Sequence, residues 1–245
     1  MGLNIKVLGC GDAFASEGRF NTSFLIESEE QKLLLDCGAS TLIRLKQERV
    51  DVLDISTVII THFHGDHFGG LPFLVLARYF EAGSREPFTI FGPPGIKEKV
   101  FQLQEALYPG TTNLLDELKV EFIEFKENTW IGDQGLSVYA KKVVHSPPSN
   151  PHGVKINLNE SVIGFSGDTE WTDQLIDLAE GTDLFICECN FYTKDGPGHL
   201  SYKTIQKHIR QLKAKKIYLS HMNTEVLNAH EFELVRLADG MEFSI

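Results

Sequence analysis

Three histidines and one aspartate fall within one short segment, at His62, His64, Asp66 and His67. The segment follows an apolar run typical of a buried strand and precedes a pair of glycines. Imidazole suits zinc and similar divalent metals, and a carboxylate adds a harder oxygen ligand. Side chains alternate along an extended chain, so His62 and His64 point to the same side, and a following turn directs Asp66 and His67 to a second position nearby. The segment therefore predicts two pairs of ligands for two metal ions.

Four groups do not complete two metal sites, so we expect further ligands downstream. Three candidates each follow an apolar, strand-like run: His145, Asp168 and His221. Taken alone, each is more typical of an ordinary loop residue. Their repeated placement after a strand, where the ends of strands meet at one edge of a sheet, favours a common site.

Strand-like and helix-like segments alternate along the chain. The pattern predicts strands over 5–8, 23–26, 32–35, 54–60, 88–91, 120–125, 136–144, 154–158, 162–165, 184–188 and 216–219. It predicts helices over 40–46, 70–81, 96–107, 173–179 and 201–212, the last with Ser201 as its N-cap. The alternation favours a layered α/β architecture, and hairpins within it argue against a purely parallel sheet.

Composition excludes several classes of protein. The 245 residues carry a formal net charge of −11, which disfavours electrostatic binding of nucleic acid over a broad surface. Four cysteines without a CxxC pair argue against a disulfide scaffold, and we interpret them as buried thiols. No apolar run is long enough for a membrane-spanning helix, and no signal peptide is visible, so we expect a cytoplasmic protein without a membrane partner.

The chain resembles the metallo-β-lactamase superfamily over nearly its whole length, and within it the ribonuclease Z and small phosphodiesterase branch. Besides the ligand segment, the resemblance rests on Leu8-Gly9-Cys10-Gly11-Asp12-Ala13, Arg19-Phe20-Asn21-Thr22-Ser23, Leu35-Asp36-Cys37-Gly38, Phe165-Ser166-Gly167-Asp168-Thr169 and Gly198-His199-Leu200-Ser201. It implies an α/β fold, a four-layer αβ/βα sandwich with mixed sheets. We expect a single domain over 1–245, with two pseudo-symmetric halves of about 1–125 and 126–245.

The resemblance also implies a dinuclear hydrolase that uses a bridging hydroxide. It assigns His62, His64 and His145 to one metal, and Asp66, His67 and His221 to the other, with Asp168 as the bridge. We expect two divalent ions, zinc by preference with manganese as the alternative. Asp66 is expected to take part in catalysis as well as in metal binding.

As the ribonuclease Z resemblance implies, His199 is expected to be a proton donor or a phosphate contact at the leaving group, with Glu188 orienting it. The alternative is a surface histidine in a loop before a helix. Asp36 follows a strand and is expected either to orient a ligand histidine or to close a strand-end turn. The roles of His152 and of the segment 92–110, as a pocket wall or a dimer surface, stay open, and so does a homodimer.

The chain departs from the resemblance at one informative place. Transfer-RNA-processing relatives carry a long basic arm between the histidine matching His145 and the bridging aspartate, but only 23 positions separate His145 from Asp168 here. Transfer RNA is therefore disfavoured, and we expect a small phosphodiester, nucleotide-like or cyclic, as substrate. His64 and Asp168 disfavour the oxygen-reducing di-iron and penicillin-destroying branches, which usually carry glutamate and cysteine there. The open alternatives are a carboxylic-ester, lactone or thioester hydrolase and a non-enzymatic ligand sensor.

Overall fold

The computed structural model describes residues 2–83, 86–133 and 135–245. The strands within this part of the chain are β1 (Asn4–Gly9), β2 (Ser23–Glu27), β3 (Lys32–Leu35), β4 (Ile55–Ile59), β5 (Thr89–Gly92), β6 (Glu121–Glu124), β7 (Trp130–Gly132), β8 (Leu136–Lys142), β9 (His152–Leu158), β10 (Ser161–Phe165), β11 (Leu184–Glu188), β12 (Ile217–Ser220), β13 (Val235–Arg236) and β14 (Glu242–Ser244). The α-helices are α1 (Thr41–Gln47), α2 (Gly65–Phe68), α3 (Leu71–Leu76), α4 (Ile96–Leu107), α5 (Asn113–Glu117), α6 (Gln174–Ala179), α7 (Tyr202–His208) and α8 (Thr224–Asn228).

The strands form two seven-stranded sheets of similar design. The first has the order β14-β1-β2-β3-β4-β5-β6, and the second has the order β13-β12-β11-β10-β9-β8-β7. In the first sheet β1, β2 and β3 pair antiparallel, whereas β3, β4, β5 and β6 run parallel. The second sheet repeats this, with antiparallel pairs from β7 to β10 and parallel pairs from β10 to β13. Both sheets are therefore mixed, as the hairpins in the sequence predicted.

Three apolar clusters hold four layers together. One lies between the two sheets and joins side chains such as Phe24 and Phe165, whose rings meet edge to face at 5.6 Å. The second packs α1, α3, α4 and α5 on the outer face of the first sheet. The third packs α6, α7 and α8 on the outer face of the second sheet. Because each sheet buries both faces, its central strands are apolar throughout, which is why they were predicted well from the sequence.

The structure differs from the sequence prediction where an element changes its helix type or depends on a distant partner. The α-helical part of the predicted helix 70–81 is Leu71–Leu76, and a π-helical turn continues it over Ala77–Glu81. Strand β14 pairs with β1 from the opposite end of the chain, a contact that local periodicity does not encode. The predicted N-cap is confirmed, since the Ser201 hydroxyl accepts a hydrogen bond from the backbone N–H of Thr204 at 3.3 Å. None of the helices in the described ranges combines the length and apolarity that a bilayer crossing needs.

Candidate metal centre

The histidine-rich segment follows the carboxyl end of β4, a central strand of the first sheet. A buried carboxylate holds it in place by hydrogen bonds. Asp36, just after β3, is fully buried and has a left-handed φ of 57°. Its carboxylate accepts hydrogen bonds from the backbone N–H and hydroxyl of Thr61 and from Nδ1 of His67, the last at 2.7 Å. In the neutral imidazole this bond places the proton on Nδ1 and leaves the lone pair of Nε2 for a metal. Asp36 thus both shapes the turn and orients a predicted ligand, so the two predicted roles apply together.

The first ligand group joins the two halves of the sequence. Nδ1 of His64 lies 3.2 Å from Nε2 of His62 and 3.0 Å from Nε2 of His145. Oδ2 of Asp168 lies 3.7 Å from the His62 nitrogen and 3.9 Å from the His145 nitrogen. The three imidazoles and the carboxylate therefore converge on one point, with every ligand atom within 4.8 Å of the others.

The second ligand group shares an oxygen with the first. Nε2 of His67 and Nε2 of His221 each lie 3.3 Å from the same Oδ2 of Asp168. Oδ2 of Asp66 lies 3.3 Å from the His67 nitrogen and 3.2 Å from the His221 nitrogen. The structure thus brings the seven predicted ligands together in two groups with the predicted memberships, and Asp168 is common to both. Their role as ligands stays a prediction.

The donor set fits divalent metal ions. Nitrogen atoms that carry lone pairs repel one another when they face each other at about 3 Å, and a cation between them removes the repulsion. Nε2 of His67 and Oδ1 of Asp168 are buried and make no hydrogen bond within the described residues. Buried polar atoms are rarely left so, and metal coordination would satisfy them. The set of five histidines and two aspartates is of the kind that zinc and manganese accept.

The local electrostatics differ between the two groups. Burial lowers the pKa of His62, His64 and His145, which favours the neutral form that binds metal. Burial acts in the same direction on His67 and His221, but the Asp168 and Asp66 carboxylates outweigh it and hold the pKa of both imidazoles above the usual range. Without a metal ion, His67 and His221 therefore stay protonated up to a higher pH than the histidines of the first ligand group.

Metal affinity should consequently fall in acid. A divalent ion must displace a proton from His67 and from His221 whenever the pH lies below their raised pKa values, so each unit of acidification weakens binding. We expect occupancy to drop clearly below about pH 6. Equilibrium dialysis at pH 8, 6 and 5, followed by elemental analysis, measures this. Equal occupancy at pH 8 and pH 5 would contradict histidine ligation.

His199 lies beside the two groups, in the loop before α7. Its Nδ1 lies 2.9 Å from Oε1 of Glu188, a buried carboxylate at the end of β11 that also accepts backbone N–H bonds from Thr169, Asn190 and Leu200. Burial acts to lower the pKa of His199, but the hydrogen bond to Glu188 prevails and raises it to about 9. The ring stacks on His221, with 5.4 Å between centroids, and keeps 20% of its side chain exposed. The raised pKa favours a protonated, partly exposed imidazole beside His221.

Glycine is required where the His199 loop meets His145. Gly198 has a φ of 78°, its carbonyl lies 2.8 Å from Nδ1 of His145, and its N–H donates to Glu170. A Cβ at this position would lie 2.5 Å from Nδ1 of His145. The loop therefore fixes the His145 ring, with Nδ1 as donor and Nε2 aimed at the first ligand group.

Gly198→Ala should displace His145 and lower activity by roughly 10²-fold, because small misplacements of catalytic groups are costly. Gly181→Ala is the matched control, since Gly181 has a φ of 76° but a Cβ there meets nothing within 4 Å. The control carries the same backbone strain without the clash. Comparable losses in the two variants would show that strain, and not the displaced imidazole, is responsible.

Some site residues gave no signal in the sequence. The Asn190 amide lies 3.3 Å from Nδ1 of His221, and Glu170 anchors Gly198, yet neither stands in a motif that we singled out. His152 is buried and belongs to neither ligand group, and its Nδ1 lies 2.8 Å from the carbonyl of Asn150. In the segment 92–110, α4 lies on the outer face of the first sheet, and the Pro94 carbonyl accepts from Asn150.

A cleft of about 540 Å³ opens onto the centre. Its lining consists of Ala13, Asn21, Ala39, His64, Gly65 and Asp66. Two predicted ligands thus form part of its wall, and a small molecule in the cleft would contact His64 and Asp66 directly.

A family model matches most of the chain. The model of the family described as "Anti-Pycsar protein Apyc1" matches residues 3–239. The chain belongs to this family. The match extends from β1 to beyond β13 and so includes both ligand groups and His199.

Curated relatives connect this family to ribonuclease Z. The chain is 35% identical to ribonuclease Z of Clostridium beijerinckii over 148 residues, which are 60% of the chain and 47% of that protein. It is 24% identical to ribonuclease Z of Clostridium perfringens over 290 aligned positions, which cover 94% of the chain and 92% of that protein. The chain thus spans about half of the first relative and nearly all of the second.

The fold is also found in a solved structure. The metallo-β-lactamase fold protein YhfI of Bacillus subtilis superposes with a TM-score of 0.80 at 22% identity, over the full length of both chains. The predicted α/β sandwich of the metallo-β-lactamase superfamily is therefore confirmed, and so is the resemblance to ribonuclease Z. With the relatives above, the expectation of a metal-dependent hydrolase of this superfamily is confirmed as well.

Proposed function

We propose that the protein hydrolyses small phosphodiesters, nucleotide-like or cyclic, at a centre of two divalent metal ions, zinc by preference. The observation that carries the proposal is that one oxygen, Oδ2 of Asp168, belongs to both ligand groups. A single carboxylate at the meeting point of two donor sets is suited to hold two cations side by side. The names of the curated relatives support phosphodiester chemistry, since both are ribonucleases.

The ligand residues divide the work between the two positions. His62, His64 and His145 would hold one ion, Asp66, His67 and His221 the other, and Asp168 would hold both. When bound, a pair of divalent ions lowers the pKa of a shared water and stabilises charge on phosphoryl oxygens. Asp36 keeps the Nδ1 proton of His67 in place, and Gly198 does so for His145, so both rings present Nε2.

The His199–Glu188 pair supplies the proton for the leaving oxygen. Glu188 accepts the Nδ1 proton of His199, so Nε2 is the atom that donates to the alkoxide as the P–O bond breaks. The buried carboxylate stabilises the imidazolium, and three backbone N–H groups hold that carboxylate still. Acid catalysis matters most for phosphodiesters with sugar or alkyl leaving groups, because alkoxides are poor leaving groups without a proton.

Several observations favour a small substrate over RNA. The segment between His145 and Asp168 is fully described and consists of a short 3-10 turn, Pro147–Ser149, and the β9–β10 hairpin, so it contains no arm. The alignment with the Clostridium perfringens relative needs 290 positions against a chain of 245 residues, so that relative carries insertions that this chain lacks. The net charge of −11 also opposes binding to a polyanion.

A comparison of the hydrolysis rates of two substrates with the same leaving group tests the proposal. The metal-loaded protein is given bis(p-nitrophenyl) phosphate or p-nitrophenyl acetate, and the release of p-nitrophenolate is followed for each, with metal-stripped protein as the control. We expect the larger acceleration over the uncatalysed rate for the phosphodiester. A larger acceleration for the acetate would instead favour a carboxylic-ester, lactone or thioester hydrolase. Turnover of neither would favour a ligand sensor.

A further inference from the structure

An exposed phenylalanine stands next to the cleft of the metal centre. Phe14 keeps 88% of its surface exposed, more than any other large hydrophobic side chain in the described ranges. Its neighbour in sequence, Ala13, lines the cleft together with His64 and Asp66. An aromatic ring this exposed beside a cleft is accessible to a molecule bound there.

The loop that carries Phe14 is firmly held. Asp12 is 1% exposed, and its carboxylate accepts hydrogen bonds from the backbone N–H groups of Phe14 and Ser16 at 3.1 and 2.9 Å and from the Ser16 hydroxyl at 2.7 Å. Ala15 and Glu17 have φ values of 53° and 54°, a left-handed conformation that residues other than glycine rarely adopt. Such strain persists only where the surroundings enforce it, and it is found preferentially at binding sites.

The base of this loop is tied to the metal centre. Gly11 forms isolated β-bridges with Asn21, which lines the cleft, and with Met222, which directly follows the predicted ligand His221. The backbone N–H of Gly11 donates to the carbonyl of Phe20 at 2.8 Å and closes the loop. The backbone of Phe14 is therefore held in a fixed position relative to the cleft, which limits the ordering cost of ligand binding to the side chain.

We infer that Phe14 is a stacking platform for the nucleobase of the substrate. This inference rests on the proposed function, because it specifies which phosphodiesters bind well. An aromatic face stacks on any base with little preference for sequence, so the platform selects nucleotides over base-free phosphodiesters but discriminates weakly among bases. Phe14 acts on binding, not on the chemical step.

The test compares a nucleotide with its base-free counterpart. Michaelis constants are measured for adenosine 3′,5′-cyclic phosphate and for methyl ribofuranoside 3′,5′-cyclic phosphate with the metal-loaded wild type, Phe14→Ala and Phe14→Trp. For Phe14→Ala we expect KM for the nucleotide to rise by roughly 10–100-fold, with kcat little changed and the base-free substrate unaffected. Phe14→Trp should restore the nucleotide KM. Phe80→Ala is the matched control, since Phe80 is also an exposed phenylalanine, at 67%, but lies in a separate apolar groove.

A binding measurement separates this inference from the proposed function. Tryptophan fluorescence of Phe14→Trp, corrected for the wild type, is titrated with adenosine 5′-monophosphate and with ribose 5-phosphate, and only the former should quench it. Quenching without turnover of either cyclic phosphate would overturn the proposed function and leave the platform standing. The platform would be overturned if Phe14→Ala changed KM equally for the two cyclic phosphates, or if the two monophosphates quenched the fluorescence equally. It would also be overturned if neither KM nor fluorescence changed. Light scattering gives a further outcome. If the molecular mass of Phe14→Ala differed from that of the wild type while KM for the nucleotide stayed unchanged, the platform would be overturned, and Phe14 would be assigned to a contact between copies of the chain.

Discussion

Asp168→Ala should lose metal ions and hydrolytic activity together. The variant removes the one oxygen shared by both ligand groups, so neither keeps a complete donor set. It also removes one of the carboxylates that raise the pKa of His67 and His221, so that Asp66 alone is left between these two imidazoles. We expect metal content to fall to a small fraction and kcat/KM to drop by roughly 10³-fold or more on every substrate, because the charge stabilisation lost is worth several kcal/mol.

The control for Asp168→Ala is Asp177→Ala. Asp177 also pairs with cationic side chains, Lys141 and Lys155, but on the surface of the second sheet and outside both ligand groups. The control should keep its metal ions and its activity, and circular dichroism checks that both variants fold. Full metal content and activity in Asp168→Ala would exclude Asp168 as the bridge.

His199→Ala should separate proton transfer from metal binding. Because His199 is expected outside both ligand sets, the variant should keep its metal ions. Hydrolysis of a nucleoside 3′,5′-cyclic phosphate, which has a sugar alkoxide as leaving group, should slow by roughly 10²–10⁴-fold. Hydrolysis of bis(p-nitrophenyl) phosphate should slow far less, because p-nitrophenolate departs without a proton. The ratio of the two rates within one variant cancels differences in the active fraction of the preparation.

The control for His199→Ala is His208→Ala, at a histidine that stacks on Trp171 with 3.9 Å between centroids and lies outside both ligand groups. It should leave both rates unchanged. Equal losses of the two activities in His199→Ala, with metal retained, would indicate that His199 binds the phosphate. Unchanged rates would make it an ordinary loop residue. Exchange of its partner, as Glu188→Gln, should shift the pH dependence of the cyclic-phosphate rate to lower pH, since the carboxylate raises the pKa of His199.

The sequence predicted the ligand segment well because its information is local. A buried strand, Val58-Ile59-Ile60, and the spacing of His62, His64 and His67 need no knowledge of distant residues. Strands such as β11, apolar on both faces, were predicted for the same reason. The sharing of one Asp168 oxygen is different, because it depends on how β4, β8, β10 and β12 meet at one edge of the sandwich.

The residues that sequence analysis missed act through contacts distant in the chain. Asn190 reaches His221 across the end of β12, and Glu170 reaches Gly198 over 28 positions. Phe14 directly follows the motif that ends at Ala13 but is not part of it. Nothing in the sequence distinguishes an exposed phenylalanine from a buried one. Strand β14 and the two-residue β13 were missed because pairing with a distant strand, not propensity, makes them strands.

Elemental analysis of gently purified protein, before and after reconstitution with zinc or manganese, tests the dinuclear centre most directly. Seven donor groups arranged around one shared carboxylate oxygen should bind about two divalent ions per chain, and Asp168→Ala should bind far fewer. A wild-type protein that holds no more than trace transition metal, even after reconstitution, would contradict the centre and the hydrolytic function built on it.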